Sequence, residues 1–112
     1  MSKQRRAKLQ RNNEEMATRT VHDGLRFMTE MLCAQVMEGE FETCVEPFNL
    51  LSGASVLAHI LTPNPCRPMT DALADEAEDL LERACIDHGW KPCERHRAGV
   101  EAEARMNGIS KQ

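Results

Sequence analysis

The sequence predicts an all-α fold, a small bundle of three to four helices with a basic, flexible N-terminal arm. Apolar residues recur three or four positions apart in three separate segments, and the alternation typical of strands is missing. Pro and Gly separate these segments, which favours helices joined by short links. The length of 112 residues suits a single helical domain. We place that domain at residues 13–108, after an arm at 1–12 and before a tail at 109–112.

The first helix is predicted to begin at Asn12 or Asn13, because either can cap a helix whose first turn carries acids. Gly39 is its predicted stop. The second helix is predicted to open at Pro47, since proline suits the first turn of a helix. The second segment is apolar on most sides, so we expect it to be the central, most buried helix.

Three prolines between residues 62 and 68 predict a rigid, non-helical connector. Thr70 is the predicted cap of the third helix, and Gly89 its predicted stop. A fourth helix from Pro92 is weakly apolar, which is why three to four helices are expected. The predicted core is drawn from Leu25, Met28, Leu32, Leu51, Leu57, Leu61, Leu73, Leu80 and Leu81. We expect truncation of Leu57 to Ala to cost ~2–5 kcal/mol.

Charge is divided unevenly along the chain. Residues 1–13 carry five basic side chains and no acid, whereas the rest holds nine basic and 18 acidic side chains. An acidic body repels phosphate, so the arm is the candidate nucleic-acid contact. Its basic residues are Lys3, Arg5, Arg6, Lys8 and Arg11. The segment QRRAKLQRN resembles the arginine-rich peptides that become helical on RNA. The competing interpretation is a solvated, frayed terminus.

Four residues near the predicted end of the third helix have a spacing compatible with a metal site. Cys85 and His88 are three residues apart, and so are Cys93 and His96, so each pair shares a helix face. Two thiolates and two imidazoles would suit a structural zinc ion. The alternative, which we favour, is two packed thiols and two ordinary histidines. No other cofactor is expected.

The five cysteines are an odd number, and the N-terminus lacks the apolar stretch of an export signal. We therefore expect a cytoplasmic protein with reduced thiols. No apolar run approaches the ~20 residues of a membrane span, so no membrane partner is expected.

No phosphate-binding loop and no constellation fit for catalysis is found in the sequence, which predicts a protein that is not an enzyme. The favoured function is a small interaction protein, an adaptor, inhibitor or regulator that binds another protein through its helical surface. The alternative is a nucleic-acid-binding regulator that uses the arm or the last two helices. If the last two helices bind DNA, Arg95, Arg97 and Arg105 would face it. Self-association is compatible with both.

Overall fold

The computed structural model describes residues 2–90, which form three α-helices and no strand. The helices are α1 (Lys3–Met37), α2 (Val45–Leu61) and α3 (Arg67–Asp87), and a 3-10 turn, Asn64–Cys66, precedes α3. The prediction of an all-α fold is confirmed, with three helices in this part of the chain. The fourth helix expected from Pro92 lies outside the described residues.

The helices form an up–down–up arrangement. His22 near the middle of α1 is hydrogen-bonded to Thr70 at the start of α3, and later residues of the two helices face each other in the same order. These two helices therefore run in the same direction. α2 runs opposite to both, since His59 near its end contacts Asp71 near the start of α3. Each helix packs against the other two.

The core lies along one side of each helix. Leu32, Val36 and Leu81 are almost completely buried. The buried apolar set is Leu25, Leu32, Val36, Leu51, Ala58, Ala77, Leu81, Ala84 and Cys85. Four of the nine predicted core residues, Leu25, Leu32, Leu51 and Leu81, belong to this set.

Three predicted core residues are wrong, because Leu57, Leu61 and Leu80 are each at least half exposed. The inward line of α2 is instead Leu51 and Ala58, continued by Thr62 just after the helix. The buried hydroxyl of Thr62 is hydrogen-bonded within the bundle, and turning that side chain inward turns Leu57 and Leu61 outward.

A hydrogen-bonded chain of buried side chains joins the three helices. The Thr62 hydroxyl donates to the Ala58 carbonyl at 2.6 Å, and a carbonyl can only accept. Its contact with Thr70, at 2.9 Å, must therefore be one in which Thr70 donates. The Thr70 oxygen then accepts from Nε2–H of His22 at 2.8 Å. The order of donors is thus fixed from α1 through α3 to the end of α2.

The helix ends agree only partly with the predicted signals. Gly39 and Gly89 follow α1 and α3 with φ of 77° and 102°, so the predicted stops are confirmed. The predicted start at Asn12 or Asn13 is wrong. α1 begins at Lys3 behind the Ser2 cap, because no Gly or Pro lies between Ser2 and Asn12 to break a helix.

The connector and the start of α3 also differ from the prediction. α3 begins at Arg67 with Pro68 in its first turn, a position where proline is tolerated, so the buried Thr70 is inside the helix and does not cap it. The Arg67 guanidinium Nε donates to the carbonyls of His59 and Thr62, both at 3.1 Å. A cation at the C-terminal end of α2 satisfies its last carbonyls and suits the helix dipole.

Candidate functional site

An open apolar groove of about 580 Å³ runs between α1 and α2. The α1 wall contributes residues at intervals of three and four, and the α2 wall does the same. The main lining residues are Thr20, Gly24 and Met28 from α1, and Leu50, Gly53, Leu57 and Leu61 from α2. Leu50, Leu57 and Leu61 are 50%, 56% and 58% exposed, so they form a solvent-facing apolar wall.

None of the residues that line the groove is ionisable. The charged residues in the same stretch of α1 are Arg19, Asp23, Arg26 and Glu30, which follow one another at intervals of four, three and four residues. They therefore share a different face of the helix, where Asp23 and Arg26 form an ion pair at 3.8 Å. A surface without charge favours an equally uncharged, apolar occupant.

Each wall of the groove contains a glycine inside its helix. Glycine in a helix interior costs about 1 kcal/mol relative to alanine. A Cβ built on Gly24 or Gly53 would meet nothing within 4 Å, so the packing of residues 2–90 does not require glycine at either position. Both glycines instead leave room for close approach from outside the bundle.

The predicted nucleic-acid contacts lie on the first turns of α1. The side chains of Lys3, Arg5, Arg6, Lys8 and Arg11 are all exposed, and the arm is the N-terminal part of a 35-residue helix. The first fully buried residue of α1 is Thr18. The side chain of Gln10 donates to Glu14 at 3.3 Å, which links the arm to the following turn of the helix.

The structure describes half of the predicted zinc site. Cys85 is buried in the core, and the His88 ring packs edge-on against Trp90, with centroids 4.7 Å apart. Cys93 and His96 lie outside the described residues, so the four-residue site stays a prediction. Within residues 2–90, no group of three or more metal-ligating side chains is assembled.

The surroundings of the Cys33 thiol change its acidity. Burial, and to a lesser extent the nearby Glu30 carboxylate, raise the pKa of the Cys33 thiol above its ordinary value. A thiol with a raised pKa is mostly protonated at neutral pH and is a poor nucleophile. Cys33 is therefore suited to packing beside the core rather than to covalent chemistry.

His59 and Asp71 form a second polar contact between helices. The imidazole Nδ1 and a carboxylate oxygen are 2.7 Å apart, and both side chains are about half exposed. The pair joins the end of α2 to the first part of α3. Its place beside the Arg67 cap indicates a role in holding the connector.

The sequence contained a signal for the groove that was assigned to the core. Leu50, Leu57 and Leu61 share one side of α2, whereas Leu51 and Ala58 share another. Two apolar lines on one short helix indicate two apolar contacts. Only the first contact, with α1 and α3, is made within residues 2–90.

No protein family matches the chain, no curated protein is significantly similar to it, and no solved structure resembles its fold closely enough to count as a match. Among the helices of residues 2–90, none combines the length and the apolar character needed to cross a membrane.

Proposed function

We propose that this chain is a non-catalytic interaction protein whose groove between α1 and α2 binds the apolar face of a helix from another protein. The observation that carries the proposal is the uncharged wall of Leu50, Leu57 and Leu61, exposed on a helix whose neighbouring side, with Leu51 and Ala58, is buried. Exposed apolar surfaces of this kind are typical of interaction sites.

A helix suits the groove better than an extended strand. The walls are two helices, and within residues 2–90 there is no strand edge to which an extended segment could add. Side chains of an amphipathic helix recur at the same three- and four-residue intervals as the wall residues Leu50, Gly53, Leu57 and Leu61. Gly24 and Gly53 would allow such a helix to approach closely.

The test is to fill the groove without disturbing the fold. Gly53→Leu adds a side chain where nothing in the described chain lies within 4 Å of the new Cβ. Ala72→Leu, on an exposed position of α3, is the matched control. We expect Gly53→Leu to be at least as stable as the unmodified chain, because glycine disfavours helix.

Binding is read by affinity capture from native lysate, followed by cross-linking and mass spectrometry. A protein retained by the unmodified chain and by Ala72→Leu, lost with Gly53→Leu, and cross-linked beside the groove would support the proposal. If every captured protein is retained equally by Gly53→Leu, the groove is not the binding site.

The second candidate function is nucleic-acid binding by the arm, which the exposure of its five basic residues supports. Contact with several phosphates would make the affinity for duplex RNA or DNA fall steeply with salt. Binding of an apolar helix in the groove would depend on salt only weakly. Titrations of labelled duplexes at two ionic strengths therefore separate the two candidates.

A cytoplasmic location belongs to the same proposal. In residues 2–90, none of the four cysteines is in a disulfide, which is the state of thiols in a reducing compartment.

A further inference from the structure

An uncharged stripe runs along the side of α1 that faces away from the core. Its members follow one another at intervals of three or four residues, and each is exposed. The stripe consists of Leu9, Asn13, Met16, Thr20, Gly24, Phe27, Met31 and Ala34. Met16 and Phe27 are 64% and 65% exposed, the most exposed large apolar side chains of α1. The stripe extends about 38 Å at about 1.5 Å per residue, from the bundle into the arm.

The charged side chains at the two ends of α1 interact unfavourably with the dipole of the helix. The first turn has basic residues and no acid, and the last turn has no basic residue. Residues 28–46, which include the end of α1 and the following turn, carry five glutamates and no basic residue. Cations are favoured at the C-terminal end of a helix and anions at the N-terminal end. α1 has the opposite distribution.

We propose that a second copy of this chain packs antiparallel along the stripe. Antiparallel pairing brings the basic arm of each copy to the C-terminal end of the other α1, where Glu38, Glu40 and Glu42 follow the helix, so positive and negative charges meet at both ends. It also brings cations to the C-terminal end of each α1 and anions to each N-terminal end. Charges of the second copy thus compensate the unfavourable charges at the two ends of each α1.

The spacing of the stripe specifies the register. With the two-fold axis at Thr20, Leu9 of one copy lies opposite Met31 of the other. Met16 lies opposite Gly24, so a long side chain faces the position that has none. In this register Arg5 and Arg6, which flank the stripe, lie beside the end of the second α1, close to Glu38.

The observations favour a second copy over a nucleic acid. A two-fold axis brings equivalent residues together, and the stripe carries no charge that would meet its like. Leu9 continues the apolar stripe into the arm, which a phosphate contact does not require.

The stripe and the groove are neighbouring surfaces that share Thr20 and Gly24 along a common edge. Self-association through the stripe therefore goes beyond the proposed binding of another protein. Variants of Leu57, in the groove and outside the stripe, leave self-association unchanged under this proposal. Variants of the arm leave the groove unchanged.

The test uses charge reversal in the full chain, read by sedimentation velocity. One variant combines Arg5→Glu, Arg6→Glu and Lys8→Glu, and we expect its dissociation constant for self-association to rise by about a hundredfold, because attraction becomes repulsion at both ends. Circular dichroism and thermal melting check that it is folded.

A second variant combines Glu38→Lys, Glu40→Lys and Glu42→Lys, and we expect the same loss. Mixing the two variants in equal amounts is expected to restore a dimer, since each arm again meets the opposite charge. The matched control reverses the same number of charges on α3, with Asp75→Lys, Glu76→Lys and Asp79→Lys, and is expected to remain dimeric.

Four results would overturn the proposal. The unmodified chain could sediment as a monomer, the arm variant could remain a dimer, or the mixture could fail to associate. The fourth is loss of the dimer in Leu57→Glu, which would place the second copy in the groove. If the monomeric unmodified chain binds a labelled duplex RNA or DNA and the arm variant does not, the arm contacts nucleic acid instead.

Discussion

Buried polar side chains in this bundle differ in how far their hydrogen bonds reach. Thr29 donates to the carbonyl of Leu25, four residues earlier in its own helix, at 2.7 Å. Thr70 instead connects His22 of α1 with Thr62 after α2. A bond within one helix adds little to tertiary structure, whereas a chain across three helices specifies how they are rotated against each other.

We therefore expect Thr70→Val to destabilise the protein more than Thr29→Val. Removing the Thr70 hydroxyl leaves His22 Nε2–H without an acceptor, at a cost of about 1–3 kcal/mol. The carbonyl of Leu25 keeps its backbone donor when the Thr29 hydroxyl is lost, so the cost there is at most about 1 kcal/mol. Urea unfolding measures the loss in the free energy of unfolding for both variants. Equal losses would show that the hydrogen bonds joining the three helices add no stability.

Cys33 provides a prediction that depends on pH. Since burial and Glu30 raise its pKa, less of this thiol is ionised at a given pH in the folded chain than in the unfolded chain. Alkylation requires the thiolate, so its rate at Cys33 should level off at a higher pH in the folded protein. Mass spectrometry of iodoacetamide labelling measures this profile.

Glu30→Gln is the matched variant for the thiol. It removes the smaller, electrostatic cause and leaves burial, so the profile should move towards that of the unfolded chain without reaching it. If the alkylation rate of Cys33 had the same pH profile in the folded and unfolded chains, its pKa would not be raised by the fold.

At the scale of the element, α2 has two apolar sides with different roles. Leu51 is buried against the other helices, whereas Leu57 is 56% exposed in the groove. A helix that is apolar on both sides and packs on only one presents the other to solvent.

The difference between the two sides can be measured as stability. Leu81→Ala removes a side chain with no exposed surface and should cost about 2–5 kcal/mol. Leu57→Ala removes an exposed one and should cost no more than about 0.5 kcal/mol. The sequence predicted a cost of ~2–5 kcal/mol for Leu57→Ala, and the structure indicates this cost for Leu81→Ala instead. A large loss at Leu57 in the monomeric protein would contradict the observed orientation of α2.

Helix orientation shows how far the sequence could predict this fold. In α1, charged residues such as Arg19 and Glu30 mark an outer face, so Leu25 and Leu32 were correctly placed inside. No charged residue lies between Pro47 and Ala58 of α2 to mark its solvent face, and the periodicity fits Leu57 as well as Ala58. The choice depends on tertiary hydrogen bonds of Thr62, which one sequence does not reveal.

The candidate site was missed for the same reason. A groove between α1 and α2 exists only because α2 turns Leu57 and Leu61 outward, and that rotation could not be predicted. The exposure of the arm could be predicted from the sequence, since its basic composition indicated a solvent-facing segment. Its helical structure was not predicted, because the acids at Glu14 and Glu15 suggested a helix start that α1 passes through without interruption.

At the scale of the whole molecule, the bundle has a buried core, whereas the side chains of the arm are exposed. Every side chain from Ser2 to Asn13 is exposed, whereas from Thr18 onward α1 repeatedly contacts the core. The arm is held at one end only, as an extension of a helix that is stabilised further along.

Deleting residues 1–12 should therefore leave the bundle folded. We expect the truncated chain to melt in one cooperative thermal transition with a smaller helical signal, since only the exposed turns of α1 are lost. The same deletion should weaken self-association as strongly as reversal of the arm charges. Loss of cooperative melting would show that the arm is part of the stable fold.

Trp90 makes the end of α3 visible to fluorescence. Its backbone N–H donates to the Cys85 carbonyl at 3.0 Å, and its half-buried ring packs against the core. The chain contains one tryptophan and no tyrosine, so a single indole dominates its intrinsic emission. Unfolding would expose this ring to water and shift the emission to longer wavelength. Separation of two copies along the outer side of α1 would leave it unchanged, so the emission maximum distinguishes unfolding from dissociation without a label.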